Sequence, residues 1–117
     1  MCLIIATTKP TAIPKEVCES AASDNPDGIG FLWFDDSGRV LSRRPLNVPL
    51  RLWWPEFQGY AEEAEKTGSE FAIHFRLATH GAVSESMCHP YYMRARNGRA
   101  WLMHNGILRQ YSFGKTK

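Results

Sequence analysis

The sequence lacks a long apolar run, a block of basic residues and a closely spaced cysteine pair. No segment approaches the roughly 18 consecutive apolar residues that a membrane-spanning helix needs, and no small-residue cleavage site follows the short apolar stretch 1–6. Lysines and arginines are dispersed at a net charge of +2, so nucleic acid is not an expected partner. These absences predict a cytoplasmic chain that engages neither a membrane nor nucleic acid.

Metal-binding and nucleotide-binding motifs are also missing. The histidines and Cys88 match no standard zinc spacing, and adjacent Cys88-His89 cannot easily converge on one tetrahedral ion, so neither a metal nor another cofactor is expected. The glycines of Asn25-Pro-Asp-Gly-Ile-Gly30 lie between a predicted helix and a predicted strand, whereas phosphate-binding loops join a strand to a helix. Gly28 and Gly30 are instead expected to allow close backbone approach to a neighbouring strand or to a ligand.

The 117 residues suffice for one domain, and the pattern of its elements predicts an α+β fold with a mainly antiparallel sheet. A short strand covers 2–6, and a helix follows Pro14 with Val17 and Ala21 on one face. Hairpins are predicted over 28–46 and 91–108, the second turning at Asn97-Gly98. Pro49 and Pro55 bound the first part of 48–67, the stretch 60–66 has helical propensity with Gly68 as its expected C-cap, and 70–78 alternates as a strand.

Cys2 is the first candidate for chemistry because of its position. Loss of Met1 would give it a free α-amine with a pKa of about 7.7–8.0, so one residue would hold both a thiol nucleophile and a base. The odd cysteine count (Cys2, Cys18, Cys88) predicts reduced thiols in a reducing compartment, which leaves Cys2 available. The alternative is an incidental cysteine that packs as a small apolar side chain.

Arg76 and Asn105 are the next candidates. Arg76 lies in His74-Phe-Arg-Leu-Ala-Thr-His-Gly81, on the strand face opposite Phe75, and its planar guanidinium suits a ligand carboxylate. Asn105-Gly106 follows an apolar strand and can offer a side-chain and a backbone N–H to an oxyanion. The alternatives are an internal ion pair or a surface position for Arg76, and an ordinary tight turn for Asn105-Gly106.

The order of these motifs resembles that of the class II glutamine amidotransferases, a family of N-terminal-nucleophile hydrolases. The resemblance covers residues 2 to about 108 and is closest to the small stand-alone members. It rests on Cys2, Asn25-Pro-Asp-Gly-x-Gly30, His74-Phe-Arg-x-Ala-Thr-His-Gly81, His89-Pro90 and His104-Asn-Gly-Ile107.

The resemblance implies a fold, a reaction and a set of roles. The fold would be an Ntn-hydrolase-like sandwich of antiparallel sheets with flanking helices, and the single domain 2–117 would be its N-terminal portion. The reaction would hydrolyse the glutamine side-chain amide through a thioester. The implied roles are nucleophile and base for Cys2, α-carboxylate clamp for Arg76, pocket lining for Thr79 and His80, and oxyanion hole for Asn105 and Gly106.

The sequence departs from the family pattern in two respects. Leu77 stands where many members carry an aromatic residue. Segment 87–117 contains no aspartate or glutamate, although family members bind the substrate α-ammonium with an acidic residue after His-Asn-Gly. The demand for a free α-amine is therefore unenforced, and N-acylated or peptide-like amides stay open as substrates.

The short length leaves three interpretations open. The chain is a truncated fragment, a compact variant completed by a second chain or synthase partner, or a non-catalytic amino-acid-binding or regulatory module on the same fold. A small zinc-binding domain is a further alternative that elemental analysis would test.

Overall fold

The computed structural model describes residues 2–35, 37, 40–43, 49–78, 83 and 87–105. Within these residues the chain forms an α+β fold with antiparallel sheets and two helices, the class predicted from the order of patterns. The elements in chain order are β1 (Leu3–Thr7), α1 (Lys15–Asp24), β2 (Ile29–Phe34), β3 (Val40–Arg43), α2 (Leu50–Thr67), β4 (Phe71–Phe75), β5 (Tyr91–Ala95) and β6 (Gly98–Leu102).

The first four strands of the chain form one antiparallel sheet in the spatial order β1-β4-β2-β3. The central strand β4 pairs with β1 through Leu3 opposite Phe75, and with β2 through Ile29 opposite Phe75. Strands β5 and β6 form a separate two-stranded sheet. The N-terminal strand and the strand that carries the Arg76 motif are therefore direct neighbours.

The hydrophobic core lies between the four-stranded sheet and the two helices. Phe71, Ile73 and Phe75 alternate along β4 and are fully buried, as expected for one face of a strand. Aromatic rings dominate the packing, for example Phe31 against Trp53 with ring centroids 5.6 Å apart. Since side chains alternate, His74 and Arg76 lie on the opposite face of the sheet from this core.

Helix α2 is longer than the sequence indicates. It begins at Leu50, and Pro55 lies inside it, so the prediction that Pro55 bounds a non-helical stretch is wrong. The buried positions Trp53, Phe57, Ala61 and Ala64 recur every three or four residues, and burial of this stripe outweighs the backbone hydrogen bond that Pro55 cannot donate. Gly68 ends the helix in the left-handed region at φ +70°, as predicted.

Helix α1 starts directly after Pro14, as predicted, but its buried face differs from the prediction. Cys18 and Ala21 are buried while Val17 is 43% exposed, so the inward stripe is offset by one residue. Among the described residues, no helix has both the length and the apolar composition needed to cross a bilayer.

The β5–β6 hairpin also turns one residue earlier than predicted. Ala95 pairs with Gly98, which leaves Arg96 and Asn97 as the two-residue turn in place of Asn97-Gly98. The cross-strand contact of Tyr92 with Trp101, whose ring centroids lie 5.2 Å apart, agrees with this register. The described part of β6 ends at Leu102, short of the predicted 108.

Candidate active site

Cys2 lies at the start of β1, against the end of β4. Extending the β1–β4 register by one residue brings Cys2 next to Arg76. The Leu77 backbone N–H donates to the Cys2 Sγ at 3.4 Å, and the thiol can donate to the Leu77 carbonyl oxygen at 3.6 Å. These two contacts with the Leu77 backbone hold the half-buried Cys2 thiol in a fixed position at the end of β4.

The segment Arg76–Ala78, which continues β4, is held at each of its residues. The Arg76 N–H donates to the Gly28 carbonyl at 2.8 Å, and the Arg76 carbonyl accepts from the Asp27 N–H at 2.9 Å. The Asp27 carboxylate accepts the Ala78 N–H at 2.7 Å. These bonds anchor the backbone that carries the buried Arg76 side chain, of which 4% is exposed.

Gly28 and Gly30 allow the segment 87–90 to lie directly on this face of the sheet. A Cβ at Gly28 would overlap the Cys88 Sγ, and a Cβ at Gly30 would overlap the His89 carbonyl oxygen. At Gly30 the prediction of close backbone approach is confirmed, but the approaching backbone belongs to the segment 87–90 and not to a neighbouring strand, whereas Gly28 makes room for the Cys88 side chain.

Three histidines meet above the sheet. The rings of His74 and His89 stack with centroids 3.8 Å apart and planes 16° from parallel. The His104 ring lies 4.8 Å from that of His89, between centroids. The backbone N–H of His104 donates to His89 Nδ1 at 3.1 Å, and the His104 carbonyl accepts from His74 Nε2 at 3.3 Å.

These hydrogen bonds define which ring nitrogen carries the proton in each of the two stacked histidines. A carbonyl only accepts, so His74 carries its proton on Nε2. His89 accepts at Nδ1 and is therefore unprotonated there. Burial is the main cause that lowers the pKa of His74 from 6.5 to about 4. Burial, followed by the charges of His74, His104 and Arg76, lowers the pKa of His89 to about 3. Both rings are neutral at pH 7.

Asn105 directly follows this cluster and is exposed. The structure thus brings Cys2 beside Arg76. It also places His104, which precedes Asn105, in contact with His74, which lies two residues before Arg76. The predicted residues Thr79, His80 and Gly106 lie outside the described residues.

Sequence reasoning missed the parts played by Asp27, His74, His89 and the Leu77 backbone. Alternation along β4 was a usable signal for His74, since it shares the face of Arg76. The bond from Asp27 to Ala78 joins residues 51 positions apart, and no spacing in the sequence predicts it.

The other two cysteines differ from Cys2 in environment. Cys18 is fully buried in the core, and this burial raises its pKa to about 11. Cys88 is also fully buried, against Gly28. Of the three thiols, that of Cys2 alone is only half-buried, so Cys2 is the best placed as a nucleophile. Within the described ranges, no three histidine, cysteine, aspartate or glutamate side chains are grouped to hold a metal ion.

A cavity of about 360 Å³ lies elsewhere, on the helical side of the sheet. Leu50, Trp53 and Phe75 contribute to its lining. Gly28 also lines the cavity, and its carbonyl accepts the Arg76 N–H, so the cavity borders the backbone that supports Arg76.

Comparisons of the chain with protein-family models, with curated proteins and with solved structures found no match.

Proposed function

We propose that the protein hydrolyses the side-chain amide of glutamine, or of a glutamine-like molecule, with Cys2 as the nucleophile. The observation that carries the proposal is the position of the Cys2 thiol. It receives the Leu77 N–H at 3.4 Å and lies on the strand next to that of Arg76. A nucleophile and a carboxylate-binding cation are thereby neighbours.

The reaction proceeds in two acyl-transfer steps. Removal of Met1 frees the Cys2 α-amine, which takes the thiol proton directly or through water. Sulfur then forms a bond to the amide carbon, the carbon–nitrogen bond breaks, and the proton leaves with the nitrogen as ammonia. Water attacks the resulting thioester, releases glutamate and restores the thiol.

The remaining residues bind and stabilise. Arg76 holds the substrate α-carboxylate with its planar guanidinium, and Thr79 and His80 line the same pocket. Asn105 and Gly106 donate hydrogen bonds to the oxyanion of both tetrahedral intermediates, an interaction whose loss typically costs about 10²–10³ in kcat. The proposal includes an Ntn-hydrolase-like arrangement of the two antiparallel sheets.

Intact mass tests the nucleophile. The untagged protein is expected to lack Met1 and to gain one adduct from a chloroketone analogue of glutamine, mapped to Cys2. Cys18 and Cys88 are fully buried and should stay unlabelled, so Cys18→Ala is the matched control that retains labelling and Cys2→Ala the variant that loses it. Retention of Met1, or equal labelling of all three thiols, contradicts the proposal.

Turnover separates catalysis from mere binding. Cys2→Ala is expected to abolish ammonia release from glutamine while glutamine binding, measured by calorimetry, persists. Arg76→Ala should weaken binding of glutamine more than that of its α-amide, which lacks the carboxylate. A wild-type protein that binds glutamine through Arg76 but releases no ammonia would be an amino-acid-binding module.

A further inference from the structure

Both backbone hydrogen-bonding groups of His104 end on stacked histidine rings. Its N–H donates to His89 Nδ1 at 3.1 Å, and its carbonyl accepts from His74 Nε2 at 3.3 Å. The His74 ring is fixed in β4, and the His89 backbone lies directly on Gly30 of β2. The backbone immediately before Asn105 is therefore tied to the rigid four-stranded sheet through two imidazoles.

We propose that His74 and His89 are positioning residues that hold the backbone at His104 so that Asn105 is presented to the oxyanion, and that protonation of this histidine pair releases it. The inference rests on the proposed function for its consequence in catalysis. The two hydrogen bonds that fix the His104 backbone are observed among the described residues.

The chemistry of the two rings makes the hold sensitive to acid. His89 Nδ1 acts as an acceptor, so a proton on that atom removes the bond to the His104 N–H. Two imidazolium rings stacked at 3.8 Å would also repel each other.

The surroundings of the pair add to this sensitivity. The charges of Arg76 and of the His104 ring disfavour a positive charge on His74 and on His89, whereas the His104 carbonyl, which accepts from His74, favours one on His74. Among the described residues, the groups placed around His89 are His74 from β4, Arg76 directly after that strand, Tyr91 from β5, His104 after β6, and Cys88 beside it in its own segment. None of these groups is a carboxylate that would offset the added charge.

Hydrogen exchange of the His104 amide, measured by NMR, tests the hold without any activity. An opened histidine regains its ordinary pKa of 6.5, so opening should become up to about tenfold more favourable per pH unit and per histidine below that value. After correction for intrinsic exchange, protection of the His104 amide should fall about 5-fold for one histidine and about 30-fold for both from pH 6.5 to 5.5. Protection of the Ile73 amide in β4 should fall less over the same pH range.

Two conservative variants isolate the bonds. His89→Asn keeps an acceptor near the position of Nδ1, and His74→Gln keeps a donor near that of Nε2, yet neither titrates in this range. The double variant should retain most of the His104 protection at pH 6.5 and lose its pH dependence. His89→Leu and His74→Leu should lose the protection at every pH, while Tyr92→Phe on the same hairpin should behave as wild type.

Steady-state kinetics then tests the role in catalysis. His89→Leu should lower kcat for glutamine hydrolysis by about 10- to 100-fold, the scale of a misplaced catalytic group, with KM little changed. His89→Asn should recover most of that loss at pH 7 and should leave, below pH 6.5, only the decline in kcat that protonation of the Cys2 α-amine produces.

The outcomes distinguish the inference from the proposed function. Equal loss of protection at His104 and Ile73, or pH dependence that persists in the double variant, overturns the inference even if glutamine is hydrolysed. If the protein shows the predicted exchange pattern but releases no ammonia, the positioning of His104 by the two histidines is supported and the proposed function is rejected.

Discussion

At the scale of single residues, the molecule depends on close approach at Gly30. A Cβ there would overlap the His89 carbonyl oxygen and lie 3.3 Å from Cδ of Pro90. Both partners are backbone or ring atoms that cannot rotate away. A side chain at this position would therefore have to push the segment 87–90 off the sheet, together with the His74–His89 stack.

Gly30→Ala is accordingly expected to lower the free energy of unfolding by about 1–3 kcal/mol, the usual cost of overpacking. Urea denaturation measures this change. NMR shifts of the His89 and His104 rings should move in the same variant. An unchanged midpoint with unchanged ring shifts would contradict the close packing of His89 on β2.

At the scale of elements, the two glycines of the α2 region have opposite roles. Gly59 lies inside the helix, exposed and with open space around the position of a Cβ. Gly68 ends the helix at φ +70°, and its N–H reaches the carbonyls of Ala64 and Glu65. Glycine costs helix stability in the interior, whereas only glycine adopts the left-handed conformation at little cost.

Alanine at these two positions should therefore shift stability in opposite directions. Gly59→Ala is expected to raise the free energy of unfolding by about 0.5–1 kcal/mol, and Gly68→Ala to lower it by about 1 kcal/mol. Parallel urea titrations compare them. The same sign for both variants would be incompatible with a helix that ends at Thr67.

The elements also show which sequence signals were sufficient. Glycine and proline at chain reversals predicted the start of α1 and the end of α2 because they act through local backbone geometry. The start of α2 was missed because Pro55 suggested a boundary. The hydrogen bond lost at Pro55 is a local effect that the sequence shows. The stability gained by burying Trp53 and Phe57 depends on packing against the sheet, which the spacing of residues in the sequence does not reveal.

At the scale of the whole molecule, the buried histidines make stability depend on pH. The pKa values of His74 and His89 in the folded state, about 4 and about 3, lie below the ordinary value of 6.5. The unfolded chain thus binds more protons between these values. Stability is full above pH 6.5 and is lost as the pH falls from 6.5 towards 4 and 3.

The free energy of unfolding should consequently fall by on the order of 2 kcal/mol between pH 7 and pH 5. Glu65, whose pKa is lowered by its hydrogen bonds from Thr11, contributes only below its ordinary 4.5 and leaves this window to the histidines. Urea titrations at several pH values measure the slope. In the His74→Gln, His89→Asn double variant, the free energy of unfolding should depend less on pH. A pH dependence as steep as that of wild type would assign the acid sensitivity to other groups.

By itself, the sequence determined the α+β class, the α1 start, the Gly68 cap, the alternation of β4, and the choice of Cys2, Arg76 and Asn105 as candidates. Each follows from local propensity, periodicity or the chemistry of a single side chain. Only the tertiary structure decided that Leu77 donates to Cys2, that Asp27 holds Ala78, and that two histidine rings hold His104. These contacts join residues far apart in the chain, and strand order and register bring them together.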